Sequence, residues 1–299
     1  MQNKETTRGF LLGLSAYAIW GLFPLFFNLL TAVAPIQVLM HRVIWSCLFV
    51  ALLLTLRGGW SALGTRMRDP QLWRALTFSS LLIAANWLIF IYAVGQHQVL
   101  STSLGYFMTP LVSAALAVLF LGEKLNPLRL IGIGLALVAI AWQLFKLGQI
   151  PWIPISLALT FGIYGLIRKQ TPIDTLAGLL LETSILLPAA LLYWLWLGFA
   201  GESQFTQSPT DMGLLVASGV VTALPLLAFA AAAKRLSLMA IGFMMYLNPS
   251  LQFLTAVVLF DESFSADLLV SFGCVWAALV VFSVDAMRQR RRMPAPRSR

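Results

Sequence analysis

The chain has 299 residues, of which 60% are hydrophobic and only 10% charged, against the ~25% charged residues of a soluble globular chain. With a mean hydropathy of +0.86, this excludes an ordinary soluble domain and points to a multi-span membrane protein. The net charge of +9 does not indicate nucleic acid. The basic residues lie in short loops and in the tail RQRRRMPAPRSR, with no basic folded domain; the tail reads as a solvated end with weak attraction for anionic lipid.

Ten apolar segments follow one another, each near the ~20 residues that a helix needs to cross a ~30 Å hydrocarbon core. Lys4 and Arg8 precede the first, 10–30, which is too long for a signal-peptide core and reads as a retained span; on it Trp20, Pro24 and Asn28 share one face at i, i+4 and i+8. The second, 36–56, contains QVLMHRVIWS, with His41 and Arg42 side by side. The third, 72–94, carries Asn86, and the fourth, 99–121, carries Tyr106 ahead of Pro110. The short turn between them holds His97 between Gln96 and Gln98, either a surface histidine or a pH-sensitive contact. The fifth is 127–146. The sixth, 150–167, carries Tyr164, and the seventh, 174–197, carries Glu182 in LLLETSILLP. The eighth is 212–233, the ninth, 238–260, sets Tyr246, Asn248 and Gln252 around Pro249, and the tenth is 265–284. The runs are continuous rather than alternating, which predicts helices and not a barrel. Cys47 and Cys274 fall inside apolar runs, so neither a disulfide framework nor a metal site is expected, and no cofactor motif is present.

Eighteen of the twenty Lys and Arg fall on one side of this ten-span chain. Only Lys146 falls on the other, and Arg42 is within a span. The positive-inside rule then places both termini in the cytoplasm.

The chain repeats itself. YFMTPLVSAALAVLFLGEKL, from Tyr106, resembles MYLNPSLQFLTAVVLFDESF, from Met245, with Pro110 on Pro249 and Glu123 on Glu262. AYAIWGLF, from Ala16, resembles TFGIYGLI, from Thr160. Residues 1–146 and 147–287 thus form two five-helix units, followed by the basic tail 288–299. Five is odd, so the second unit enters from the opposite side. Inverted repeats of this kind are an architecture of secondary transporters, with the site near the midplane between the halves.

Two five-span halves, each with a proline and a glutamate thirteen residues later, resemble the EamA-type proteins of the drug/metabolite transporter superfamily. NWLIFIYAVGQHQVLSTSLGYFMTPL, residues 86–111, together with MHRVIWS, is similar to the RarD type within it, described as chloramphenicol-sensitivity proteins. The resemblance runs from Gly9 to about Asp285. It implies a ten-helix carrier in the bacterial inner membrane with alternating access, no dedicated cofactor, and coupling to a proton or a counter-metabolite. In the second half Asp261 and Ser263 replace Gly122 and Lys124, so that copy of the element is degenerate.

Arg42 is the residue that most needs explaining, because an arginine within a span costs about 2.5–3.5 kcal/mol on insertion scales. Glu182 stands at the equivalent place in the second half. Three readings stay open: the two neutralise each other structurally, Arg42 holds a substrate carboxylate or phosphate, or Glu182 is a coupling proton site. His41, turned ~100° from Arg42, is either a packing residue or a relay. Trp20, Asn28, Asn86, Tyr106, Tyr164, Tyr246, Asn248 and Gln252 surround the inner prolines, which bend helices and free carbonyls. Either they pack, or they line a substrate cavity together with Arg42. Glu123, beside Lys124, reads as architecture.

The expected function is export of small organic metabolites or drugs, such as amino acids or aromatic and carboxylated compounds. The partners are this substrate and the lipid bilayer, with no nucleic acid. The alternatives are a non-transporting binding or regulatory protein and a lipid flippase. An enzyme is not expected, for no nucleophile, metal or paired-carboxylate motif occurs. Monomer and homodimer both stay open.

Overall fold

A computed structural model describes residues 2–60, 69–122, 127–148, 150–233, 235–236 and 244–292. Every regular element among them is helical: α1 (Gln2–Gly21), α2 (Phe23–Asn28), α3 (Pro35–Leu56), α4 (Pro70–Gly95), α5 (Val99–Leu121), α6 (Pro127–Leu147), α7 (Trp152–Gln170), α8 (Thr175–Ala200), α9 (Pro209–Ala233), α10 (Leu247–Leu254), the π turn Thr255–Leu259 and α11 (Ala266–Arg292). Arg66, Arg68, Glu123, Lys124 and Lys234 lie outside the described residues.

Local chemistry sets the boundaries. Proline opens α3 and α4, where its missing N–H is no loss. Asp69 caps α4 by accepting from the Gln71 N–H, and Asp174 caps α8 by accepting from the Ala177 N–H. Gly122 and Gly201 close α5 and α8 in the left-handed conformation, at φ of 64° and 73°.

Seven stretches among the described residues are long and apolar enough to cross a membrane, and Leu130–Lys146 and Leu247–Leu259 are shorter apolar helices. The expected sixth span, the polar-ended α7, runs on past position 167 to Gln170. Part of the ninth lies outside the described residues. The first span is broken at Leu22, just before Pro24, into α1 and α2. The helix holding Pro249 ends in a π turn, where the Phe260 N–H reaches Thr255 O at 3.0 Å. The last helix continues to Arg292, so the basic tail begins as helix.

The outer surface is apolar, with Phe145 81% and Phe199 91% exposed. Side chains of that kind suit contact with lipid. Inside, α3 packs on α8 and α9, α5 and α4 on α7, α1 on α9 and α10, and α6 on α11. The α3–α9 approach depends on Gly219, where a Cβ would run into the Trp45 backbone. The loop after α8 is pinned to the start of α3: the Ala34 N–H donates to Gln204 Oε1 at 2.8 Å, and the Gln204 N–H to Gln37 Oε1 at 2.9 Å.

Candidate functional site

The broken first span, α4, α5, α7 and α10 surround a central cavity of about 390 Å³. Seven of the nine predicted substrate contacts line it: Arg42, Trp20, Asn86, Tyr106, Tyr164, Asn248 and Gln252. Asn28 does not; it sits at the end of α2, where its carbonyl accepts from Thr31 Oγ1 at 3.1 Å. Tyr246 does not either; its hydroxyl meets Ser283 on α11.

Arg42 is 3% exposed. Its Nε donates to Thr222 Oγ1 at 2.7 Å, and Thr222 spends its own proton on Ser218 O at 2.8 Å. The guanidinium carbon stands 4.1 Å from the Trp87 ring centroid, 5.1 Å from Phe27 and 5.5 Å from Phe23. Aromatic faces stabilise such a cation, Trp best. They do not accept its remaining protons, and Arg42 Nη1 is buried without a hydrogen-bond partner. No carboxylate among the described residues pairs with Arg42.

Glu182, 1% exposed, does not pair with Arg42. Its Oε1 accepts from Ser79 Oγ at 2.6 Å and lies 3.7 Å from Arg168 Nε, and its Oε2 accepts from Tyr164 Oη at 3.3 Å. Arg168 is therefore not confined to a solvated loop, as its place after the sixth apolar run suggested. The longer α7 carries it onto the cavity wall. There it packs over Gly178, where a Cβ would occupy the space of its guanidinium. Arg168 Nη1 is also buried without a partner.

Asn86 and Gln252 each anchor a separate hydrogen-bonded group in the lining. Asn86 donates to Leu157 O at 3.1 Å and Thr160 Oγ1 at 2.9 Å, and accepts from Tyr106 Oη at 3.1 Å. Gln252 donates to Asn248 Oδ1 at 2.8 Å and accepts from Thr102 Oγ1 at 2.9 Å. His41 lies away from the cavity, stacked on Phe205 at 4.5 Å and edge-on to Trp194 at 5.9 Å.

Sequence reasoning missed Arg168, Thr222 and several aromatic walls, including Tyr17, Phe161 and Phe229. Arg168 had one faint signal: with Lys169 it forms the pair of cations nearest in sequence to a carboxylate that needs a counter-charge. Thr222, one threonine in an apolar run, had none.

A bundle of membrane-length helices around a polar-and-aromatic cavity is an architecture that suits a membrane transporter. The EamA-like transporter family matches residues 7–145. The chain is 42% identical to Protein RarD of Escherichia coli (strain K12), covering 98% of this chain and 99% of that one. It is 42% identical to an uncharacterized transporter of Pseudomonas aeruginosa, covering 99% and 100%. It is 32% identical to the chloramphenicol-sensitive protein RarD of the same organism, covering 95% and 96%. A solved crystal structure at 18% identity shares the fold with a TM-score of 0.60, over 94% of this chain and 97% of that one. The chain belongs to the EamA-like transporter family and, within it, to the RarD type.

Proposed function

We propose that this protein is a secondary transporter that exports small organic metabolites or drugs bearing a carboxylate. The cavity would alternate between the two membrane faces, in an inner membrane with both termini in the cytoplasm. The observation that carries the reading is Arg42: a buried cation in a cavity wall, with an N–H to spare and no carboxylate among the described residues to neutralise it. A buried unpaired charge is strongly unfavourable, and a substrate anion would relieve it.

The symmetry of the packing supports an inverted repeat. If the first five spans correspond to the second five, α5 on α7 matches α10 on α1, α4 on α7 matches α9 on α1, and α3 on α9 matches α8 on α4. The polar pairs obey the same exchange: Arg42 of α3 bonds Thr222 of α9, and Glu182 of α8 is bonded by Ser79 of α4. Equivalent places thus hold opposite charges. Glu182 is the natural coupling group, since losing or gaining a proton would change its hold on Arg168. His41, stacked on Phe205 and outside the cavity lining, suits a packing role better.

The test is thermal stabilisation of the purified protein against amino acids, aromatic acids, phosphorylated compounds and chloramphenicol. A ligand of the folded state raises the melting temperature with concentration. The reading requires a rise for a carboxylated family that is lost in Arg42→Ala; an equal rise in both proteins removes Arg42 from the site.

A further inference from the structure

Charge counting inside the cavity narrows the substrate. Among the described residues, two charged side chains line the cavity, Arg42 and Arg168, and Glu182 stands against Arg168 without lining it. These two cations and one anion leave one positive charge at the cavity wall. The single carboxylate is already engaged on both oxygens, by Ser79 and Arg168 on one and by Tyr164 on the other. Of the five buried side-chain nitrogens without a partner among the described residues, the two that belong to lining residues are guanidinium nitrogens, Arg42 Nη1 and Arg168 Nη1.

An incoming ammonium would meet no free carboxylate. Aromatic faces are an alternative seat for a cation, but Trp87, Phe27 and Phe23 are already turned to Arg42. A second positive charge there would feel repulsion from Arg42, weakly screened because the group is buried. A single negative charge meets the opposite conditions: it neutralises the wall and gives the orphaned N–H of Arg42 an acceptor. The remaining walls, Trp20, Phe90, Tyr106 and Phe161 among them, offer rings to an apolar body.

We infer that this cavity selects aromatic monocarboxylates without an amino group over the corresponding amino acids, because no carboxylate lines it among the described residues, Glu182 being held against Arg168, and Arg42 in its wall is uncompensated. This rests on the transporter reading and narrows its substrate class from carboxylated compounds in general to aromatic monoanions without an amino group.

Three probes with one skeleton separate the charge types: 3-phenylpropionate, L-phenylalanine and 2-phenylethylamine, titrated by thermal stabilisation of the full chain in detergent. The expected order is stabilisation by phenylpropionate, at least about tenfold weaker binding of phenylalanine, and no response to phenylethylamine. Arg168→Gln removes the partner that occupies Glu182, so the preference for phenylpropionate over phenylalanine should shrink by about tenfold or reverse. If that variant does not fold, Glu182→Gln provides the complementary test, since it adds one positive charge to the cavity. Phenylsuccinate, a dianion, should then gain on phenylpropionate relative to the native protein.

Phenylalanine binding as well as phenylpropionate in the native protein would overturn the inference, as would ratios unmoved by the charge substitutions. If other compounds of the metabolite panel bind in an Arg42-dependent way while none of these probes does, the charge rule falls and the transporter reading stands. If nothing binds in an Arg42-dependent way, both fall.

Discussion

Thr222 presents its hydroxyl oxygen to Arg42 Nε at 2.7 Å, and this is the one side-chain acceptor the guanidinium has among the described residues. The threonine can do so because its own proton goes to Ser218 O at 2.8 Å. Valine at this position keeps the shape and removes the acceptor. Thr222→Val should therefore destabilise the protein by about 1–3 kcal/mol, the cost of leaving a buried charged donor unmatched, read as a lower melting temperature. It should also loosen Arg42 and weaken any ligand that Arg42 holds. An unchanged melting temperature would mean that water or another group satisfies Nε.

Gly178 gives Arg168 its place. A methyl group there would occupy the space of the guanidinium, so Gly178→Ala should displace Arg168 from Glu182 and cost about 1–3 kcal/mol, as overpacking does. The check is a double-mutant cycle with Arg168→Gln. If the clash is the cause, the two effects are strongly non-additive, because a shorter residue at 168 no longer collides. Additive losses would place the glycine's importance elsewhere.

The helical layout was legible because membrane spans announce themselves by length and apolarity, and α3, α4, α8 and α9 follow the predicted runs to within a few residues. Two features were harder to see. The break at Leu22 had its cue in Pro24, but a proline in a span signals a bend as readily as an interruption. The π turn after Leu254 has no proline of its own. In the site, residues chosen for being polar within a span were placed well where the helix turned them inward, as with Asn86 and Gln252. Periodicity did not separate Asn28, which sits at a helix end, from Trp20 on the cavity wall. The partner of Glu182 was hidden because Arg168 was read by its position after an apolar run, while α7 carries it back onto the wall. Tertiary pairing of that sort is not encoded in local spacing.

Glu262 was read only as one end of a repeat, and it clamps the start of α5. Its Oε1 accepts from the Val99 N–H at 2.6 Å and its Oε2 from the Leu100 N–H at 2.8 Å. Burial pushes its carboxyl above the ordinary range, opposed by these two N–H groups and by His97. A carboxyl whose pKa is higher folded than unfolded contributes stability that is complete below the unfolded value near 4.5 and is lost as the pH rises through the folded value. The melting temperature should accordingly fall as the pH is raised through a window beginning near 4.5. Glu262→Gln, which cannot ionise, should flatten that part of the profile. A native profile that rises with pH there, with the rise abolished in the variant, would show that the two N–H bonds outweigh burial.

Asn86 joins three helices, donating from α4 to Leu157 O and Thr160 Oγ1 on α7 and accepting from Tyr106 on α5. Tyr106→Phe removes one donor and leaves Asn86 with its other two bonds, so it should cost about 0.5–1.5 kcal/mol. Asn86→Leu removes the hub. It strands the Tyr106 hydroxyl in a buried site, so its cost should be larger, about 1–3 kcal/mol for the unsatisfied group with any misfit of the branched side chain added. Adding Tyr106→Phe to Asn86→Leu then takes away the stranded hydroxyl and should recover part of the loss. Melting temperatures of the two single variants and the double variant decide the matter. A double variant as damaged as the sum of the singles would show that Tyr106 and Asn86 act independently and that the 3.1 Å contact contributes nothing to holding α4 against α5.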